Sequence, residues 1–224
     1  MKFLAIWGSP RRGGNTDILL NAFVDGATQA GAEVERLALR ELKISPCQEI
    51  YHCFKDGTCP IKDDMLPLYD RLLQADVVIL ASPIFFYSVT AQAKAFIDRT
   101  QALWARRYVV KQGFPGPERQ GVLLVTAATH GKLLFVGARL VAKYFFDAIN
   151  VSYAAEICVR GVDAKGDILN QPDALTAATD LGRRLAQGEK FGPIKLSPLA
   201  VFSTSGWFRM SPLASTPLTQ ISAA

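Results

Sequence analysis

The chain alternates short, almost wholly apolar segments with longer amphipathic ones, and this alternation constrains its fold more than any other feature. The apolar segments are six to eight residues long, the usual length of a β-strand. Four of the five lack the polar alternation of a strand with one wet face, so we expect them to be covered on both faces. The five predicted strands are Lys2–Trp7, Glu33–Ala38, Asp76–Ala81, Gly121–Thr126 and Ser152–Val159.

The segments between and after these strands carry apolar residues at the three- and four-residue spacing of a helix. In the first of them Leu19, Phe23 and Ala27 share this spacing, and Gly31 follows as a stop signal. The alternation predicts βαβ units, and therefore an α/β fold with a doubly wound parallel sheet and helices on both faces. The five predicted helices are Thr16–Ala30, Asp64–Gln74, Thr90–Arg107, Leu133–Ile149 and Pro172–Gln187.

The composition excludes several classes of protein. The uncharged apolar runs reach about ten residues, roughly half of a membrane-spanning helix, and Met1–Trp7 ends at Gly8, too early for a signal peptide. The net charge of +5 permits an anionic ligand but is too small to indicate nucleic acid. Four cysteines are too few for a disulfide scaffold. We therefore expect a cytoplasmic protein with neither a nucleic-acid nor a membrane partner.

The character of the chain changes at Phe191. Residues 191–224 are rich in Ser, Thr and Pro and show no sustained period, yet they include Trp207 and Phe208, which is more apolar than a disordered tail should be. We therefore divide the chain into a domain, 1–190, and a C-terminal extension, 191–224. The extension packs either on its own domain or on a partner subunit.

A glycine-rich turn, Gly8–Thr16, connects the first strand to the first helix. Ligands of open parallel sheets bind at the carboxyl ends of strands, and glycines together with a helix N-terminus suit a phosphate. The turn lacks both the Walker lysine and the G-x-G-x-x-G fingerprint. It therefore predicts a site for a single phosphate group; the alternative is a plain helix start capped by Asn15 or Thr16.

A second loop, Ser82–Ser88, follows the third strand and contains three consecutive aromatic residues. Three such side chains are hard to bury together at the end of one strand, whereas a flat ring system would pack against them. The loop therefore predicts a site for a heterocycle, and the alternative is that its aromatic residues belong to the core.

These motifs resemble the NADPH-dependent FMN reductases of flavodoxin-like fold, including their iron–sulfur flavoprotein branch. The resemblance covers about residues 1–190 and rests on three separated motifs in the right order: Gly8-Ser9-Pro10-Arg11 with Gly14-Asn15-Thr16, then Lys62-Asp63-Asp64-Met65, and Ser82-Pro83-Ile84 through Ala91-Gln92-x-Lys94-Ala95-Phe96-Ile97-Asp98-Arg99. It implies a flavodoxin-like five-stranded parallel sheet of order 2-1-3-4-5 that binds FMN.

The resemblance also implies which residues hold the cofactor. The phosphate would be bound by the first loop, the ring would lie against the second, and the loop Thr126–Gly131 would close the site. The implied cofactor-binding residues are Ser9, Arg11, Gly14, Asn15, Thr16, Pro83, Ile84, Phe85, Phe86, Ser88, Thr126 and Ala127. No catalytic side chain is implied, because FMN carries the chemistry and NADPH or NADH donates the hydride.

Three of the four cysteines, Cys47, Cys53 and Cys59, fall within thirteen residues. The iron–sulfur branch has C-x2-C-x2-C-x5-C in the comparable loop, and here its second position is Ile50. Since clusters usually take four cysteine ligands, this loop is a weak iron–sulfur candidate and we expect no metal. A redox-active thiol pair and a purely structural loop are the alternatives, while Cys158, at the end of a strand, is expected in the core.

Four other sets of polar residues invite a functional interpretation. Asp63-Asp64 is either a metal-binding or acid–base pair or, more simply, a pair of helix caps. Lys94 and Asp98 are expected to form a surface ion pair. His130 lies on the third loop and would either reach the site or be merely exposed. Arg106, Arg107 and Lys111 would either bind the extra phosphate of NADPH or form a solvated helix end.

The sequence thus predicts an FMN-dependent oxidoreductase that passes a hydride from NAD(P)H to a small acceptor such as a quinone, nitro or azo compound, flavin or metal chelate. The resemblance implies a homodimer or higher homo-oligomer. The alternatives are a flavodoxin-type or iron–sulfur electron carrier serving a protein partner, and a domain that has lost FMN. Carriers are usually strongly acidic, so the charge of +5 favours the enzyme.

Overall fold

A computed structural model describes residues 1–114, 116 and 119–194, together with the backbone of Phe208–Pro212. Five parallel strands form its centre, in the predicted order β2-β1-β3-β4-β5. The predicted flavodoxin-like sheet is confirmed, and three strands have the predicted bounds. The strands are β1 (Lys2–Trp7), β2 (Glu33–Ala38), β3 (Val77–Pro83), β4 (Gln120–Thr126) and β5 (Ser152–Val159).

Two further strands, both in antiparallel pairings, extend the predicted five-stranded parallel sheet. β7 (Phe208–Pro212) pairs antiparallel with β5, and β6 (Phe191–Gly192) pairs antiparallel with β7, giving the order β2-β1-β3-β4-β5-β7-β6. Both strands come from the extension predicted at 191–224. The pairing satisfies backbone groups of β5 that would otherwise form an open edge. The rest of the extension, 195–207 and 213–224, lies outside the described residues.

The helices follow the predicted pattern with one division and one addition, the short helix Cys53–Asp56. The predicted helix 90–107 is two helices, which separate at Thr100, whose hydroxyl donates to the Ile97 carbonyl at 2.6 Å. Such a side-chain bond to a nearby carbonyl competes with the helical ladder. The helices are α1 (Asn15–Gln29), α2 (Cys53–Asp56), α3 (Leu66–Gln74), α4 (Ala91–Arg99), α5 (Gln101–Tyr108), α6 (Val136–Ala148) and α7 (Pro172–Ala186).

Each face of the sheet has its own apolar core. Helices α1 and α7 cover one face, while α3, α4, α5 and α6 contribute to the core on the other. Helices α1 and α7 approach so closely that a Cβ on Gly26 would lie 2.0 Å from the Thr179 carbonyl oxygen, and one on Gly182 would lie 2.1 Å from the Phe23 oxygen. Glycine is therefore required at both contacts, and this packing fixes the helix that follows the first loop.

No helix within the described part of the chain combines the length and the apolar character needed to cross a membrane.

Candidate functional site

Three predicted site loops meet at the carboxyl edge of the sheet because they follow neighbouring parallel strands. Backbone hydrogen bonds join each loop to the adjacent strand. Gly8 N donates to the Ala81 oxygen, and Ile84 N donates to the Thr126 oxygen, both at 2.8 Å. Ala127 N donates to the Val159 oxygen, also at 2.8 Å. The fold therefore brings the three loops together, and they border a common space at this edge of the sheet, the cleft.

The first loop delivers an uncapped helix N-terminus. Helix α1 begins at Asn15 after Gly14, which is extended and offers no side-chain cap, so the alternative of a helix start capped by Asn15 or Thr16 is not what the structure shows. The first-turn N–H groups of a helix without a cap suit an anion. Ser9 is buried beside them, and its Oγ accepts from Arg11 N at 3.2 Å.

The side chains of Asn15 and Thr16 have partners within the protein. Asn15 Nδ2 donates to the Ala164 oxygen at 2.8 Å, and Asn15 Oδ1 accepts from Gly166 N at 3.1 Å and Ile168 N at 3.2 Å. Thr16 Oγ1 lies 2.6 Å from the hydroxyl of Thr126 at the end of β4. These side chains therefore connect the first loop to neighbouring loops. The backbone N–H groups of the same two residues lie in the first turn of α1.

The two arginines of the first loop differ in their surroundings. Arg12 pairs with Glu41, which neutralises it. Arg11 makes no ion pair with a carboxylate among the described residues, and its Nη1 donates to the Asp163 carbonyl oxygen at 3.0 Å. Arg11 therefore keeps its net positive charge beside the first loop.

The second loop contains a tight turn with two aromatic residues at its tip. Phe85 and Ser88 exchange backbone hydrogen bonds of 2.9 and 3.0 Å, while Phe86 and Tyr87 between them have φ of 48° and 62°. Positive φ at both central positions is the geometry of a type I′ turn, which usually needs Asn or Gly. Bulky residues held this way store strain, and such strain concentrates at functional sites.

The aromatic side chains of this turn are not part of the core. Phe86 is fully exposed and Phe85 and Tyr87 are each 50 % exposed, so the alternative of a buried cluster is wrong. Two glycines leave room for the turn: a Cβ on Gly137 would lie 2.3 Å from the Tyr87 carbonyl oxygen, and one on Gly131 would lie 2.7 Å from its hydroxyl. The turn therefore presents rings at the rim of the cleft, after the half-buried Pro83 and Ile84.

The third loop closes the other side of the cleft. Thr126 and Ala127 are buried, and Ala127 O accepts from Val162 N at 3.0 Å. His130 is exposed and its ring packs on Gly161, where a Cβ would lie 2.8 Å from Nε2. Sequence reasoning left open whether His130 is only exposed, and the structure gives it this packing role.

A fourth loop, 160–168, follows β5 and was missed by sequence reasoning. It contacts the first loop through the bonds of Arg11 and Asn15 described above, and Gly166 turns it with a φ of 93°. A glycine pair at the end of a predicted strand, Gly161 and Gly166, is the signal that could have revealed it.

These features fit a flavin mononucleotide. Open N–H groups at the start of α1, the buried Ser9 and the cation of Arg11 suit its phosphate. The exposed rings and backbone groups of the second loop suit a flat heterocycle.

The three clustered cysteines lie outside this cleft. They line a cavity of about 980 Å³ between the loop that contains α2 and helices α4, α5 and α6. Burial raises the pKa of the Cys53 thiol, and the sulfurs of Cys59 and Cys47 raise it further.

An iron–sulfur cluster does not fit this donor set. The loop holds three thiols, because Ile50 occupies the second position of the four-cysteine pattern. No three His, Cys, Asp or Glu side chains among the described residues are arranged to hold a metal ion. Cys158 is buried in the core as expected.

Asp63 does not cap helix α3, which begins at Leu66 after Met65. Its carboxylate instead binds Arg99, with Nη1–Oδ2 2.6 Å, and accepts from Ser45 N at 2.8 Å and Met65 N at 3.1 Å. Burial opposes ionisation, but these hydrogen bonds and the Arg99 charge together lower the pKa of Asp63. The pair fixes the cysteine loop against α4, so the predicted helix cap is wrong.

The neighbouring Asp64 has a different partner: its Oδ2 accepts from Lys43 N at 2.7 Å. Neither aspartate therefore belongs to a paired-carboxylate site.

The remaining charged candidates lie away from the cleft. Lys94 and Asp98 form the predicted exposed ion pair, 2.7 Å apart. Arg107 donates to Asp147, and Arg106 packs on Gly57 of the cysteine loop. The structure therefore gives Arg107 a partner on α6 and packs Arg106 against the residue that follows α2.

Comparison with known proteins agrees with this geometry. The profile of the NADPH-dependent FMN reductases matches residues 1–150. An iron-sulfur flavoprotein of Methanocaldococcus jannaschii is 37 % identical over 103 residues, which are 46 % of this chain and 53 % of the relative. YwqN of Bacillus subtilis, provisionally named an NAD(P)H-dependent FMN-containing oxidoreductase, is 29 % identical over 82 % of this chain and 98 % of its own.

Among solved structures, the NAD(P)H:quinone oxidoreductase of Methanothermobacter marburgensis superimposes with a TM-score of 0.63 at 20 % identity, over 83 % of this chain and 96 % of that one. This likeness shows the fold. The chain spans about half the length of the iron-sulfur flavoproteins that it matches.

Proposed function

The chain belongs to the NADPH-dependent FMN reductase family, and from this membership we propose that it binds FMN and uses it to pass reducing equivalents from NAD(P)H to a small acceptor. The observation that carries the proposal is the uncapped start of α1 at the carboxyl edge of the sheet, beside Ser9 and the cation of Arg11. When bound, FMN supplies the hydride chemistry, so no catalytic side chain is required.

The residues of the cleft have three tasks. Ser9, Arg11 and the N–H groups of Gly14, Asn15 and Thr16 bind the phosphate. Pro83, Ile84, Phe85, Phe86 and Ser88 of the second loop, with Thr126 and Ala127 of the third, support the ring. Asn15 and Thr16 use their side chains to hold the loops in register.

The second loop also bears on the acceptor. Fully exposed Phe86 and half-exposed Phe85 provide apolar surface for an aromatic compound that stacks at the rim. A quinone or an azo compound therefore fits this cleft better than a hydrated metal chelate. The solved structures that resemble the chain include proteins titled quinone oxidoreductase and azoreductase.

Steady turnover tests the proposal against an electron carrier. We expect the purified protein loaded with FMN to consume NADPH or NADH continuously with a simple quinone and no partner reductase. An electron carrier that lacks a site for the nicotinamide would not consume NADPH or NADH without a partner reductase. Absence of steady consumption by the protein with bound FMN would therefore favour the carrier.

Replacing Arg11 with alanine tests the phosphate site. We expect Arg11→Ala to weaken FMN binding by about 1.5–3 kcal/mol, the range of a hydrogen bond to a charged group, and to leave the affinity for riboflavin, which has no phosphate, nearly unchanged. Fluorescence titration of both flavins measures this. Arg12→Ala is the matched control, since Glu41 already neutralises that charge. Equal FMN affinity in wild type and Arg11→Ala would refute the assignment.

We also propose a homodimer. Exposed apolar side chains on the aromatic turn and on α6 include Phe86, Leu140 and Tyr144, and exposed apolar surface favours association. Sedimentation equilibrium tests this, and a monomer at micromolar concentration would contradict it.

A further inference from the structure

The loop after β5 places the ammonium group of Lys165 next to Gly13 of the first loop. A Cβ built on Gly13 would lie 3.0 Å from Cε and 3.1 Å from Nζ of Lys165. Gly13 also has a φ of 62°, a backbone conformation that favours glycine. Because Gly13 has no side chain, the end of the Lys165 side chain lies close to the backbone of the first loop.

The loop that carries Lys165 is held from both ends. Arg11 Nη1 bonds the Asp163 oxygen at 3.0 Å, and the Asn15 amide bonds Ala164, Gly166 and Ile168. Within the loop, Asp167 Oδ2 accepts from Asp163 N at 2.9 Å and Ala164 N at 2.7 Å. These bonds fix the backbone on either side of Lys165.

Arg12 is paired with Glu41 and Arg36 with Asp17, whereas Arg11 and Lys165 have no carboxylate partner among the described residues. Arg11 donates to the Asp163 carbonyl oxygen, and Lys165 makes no hydrogen bond or ion pair in the described part of the chain. Gly13 N, in turn, donates to Asp17 Oδ2 at 2.7 Å, so that N–H is already used. A phosphate at this loop therefore finds fewer backbone donors than the sequence suggests, and an uncommitted ammonium group beside them.

We infer that Lys165 is a phosphate-binding residue, which contacts the phosphate monoester of FMN. This inference rests on the proposed function, and it assigns the fourth loop to the cofactor site. Arg11 and Asn15 then act in part as positioning residues, because their hydrogen bonds hold the backbone on either side of Lys165 in place beside Gly13.

The experiment compares FMN and riboflavin binding to the full chain stripped of flavin. We expect Lys165→Gln to weaken FMN about tenfold, a typical effect of losing one charge-assisted hydrogen bond, and to leave riboflavin unchanged. Lys165→Arg should restore most of the FMN affinity. Lys55→Gln, which removes an exposed lysine far along the chain in α2, is the control for net charge and should not affect either flavin.

Three results would overturn the inference. One is unchanged FMN affinity in Lys165→Gln while the wild type binds FMN, which leaves the proposed function intact. Another is an equal loss of FMN and riboflavin, which indicates a general disturbance of the loop. The third is a changed preference for NADPH over NADH with normal FMN affinity, which would show that the lysine binds the extra phosphate of NADPH instead. A wild type that takes up no FMN refutes the proposed function itself, and the inference with it.

Discussion

Asp63→Ala is expected to lower the free energy of unfolding by about 3–5 kcal/mol, the cost of leaving one partner of a buried ion pair uncompensated. The Arg99 side chain is 1 % exposed and the Asp63 side chain 9 %, so water cannot replace the carboxylate. The same substitution removes the acceptor of Ser45 N and Met65 N. Denaturant unfolding followed by circular dichroism measures the loss.

Asp98→Ala is the matched control, because it removes an aspartate from an exposed pair with Lys94 on the same helix as Arg99. Exposed pairs four residues apart contribute about 0.3–0.5 kcal/mol. Equal effects of the two substitutions would contradict the view that the Asp63–Arg99 pair anchors the cysteine loop.

The stabilisation that Asp63 gives to the folded protein should decrease as the pH is lowered. Because hydrogen bonds and the Arg99 charge lower its pKa in the folded protein, the contribution is complete above the ordinary aspartate pKa near 3.9 and is lost as the pH falls through the lower, folded value. The difference in stability between wild type and Asp63→Ala should therefore be constant at neutral pH and should shrink in acid. A difference that grows in acid would show the opposite linkage.

Glu156→Ala is expected to cost a similar amount, about 3–5 kcal/mol, at a second buried ion pair. Glu156 is 1 % exposed in β5. Its carboxylate accepts from Arg139 Nε at 3.0 Å and from the Tyr153 hydroxyl at 2.6 Å. Burial raises the pKa of Tyr153, and the Glu156 carboxylate raises it further, so this hydroxyl stays protonated and remains the donor. Thermal or denaturant unfolding measures the loss.

A double variant separates the lost ion pair from lost packing. Arg139→Met with Glu156→Leu replaces both charges by apolar side chains, and such exchanges are often neutral or stabilising. We therefore expect the double variant to be more stable than Glu156→Ala alone. A double variant that is less stable would show that shape, not charge, dominates at this position.

The central sheet could be predicted because its signal is local. Every residue of a strand such as 77–83 is apolar or small, and burial on both faces leaves few other interpretations. The glycine-rich turn was found for a similar reason, since its residues follow one another along the chain. The break at Thr100 was missed because one hydroxyl bond decides it.

The remaining features depend on contacts between distant parts of the chain. Asn15 was read as a phosphate ligand because nothing near it in sequence shows that its amide binds residues 164–168. Phe86 and Tyr87 are poor residues for a type I′ turn, and the glycines that make room for it, Gly131 and Gly137, lie in the third loop and in α6. Strand β7 pairs with β5 about fifty residues earlier, a pairing for which periodicity gives no partner.

The central claim is that this fold holds FMN for reduction by a nicotinamide nucleotide, and an anaerobic visible absorption spectrum, recorded before and after addition of NADPH, tests it most directly. The account predicts flavin bands that bleach on addition of NADPH and return with a quinone. A protein that stays colourless after incubation with FMN, or bound flavin that neither NADPH nor NADH bleaches, would contradict it.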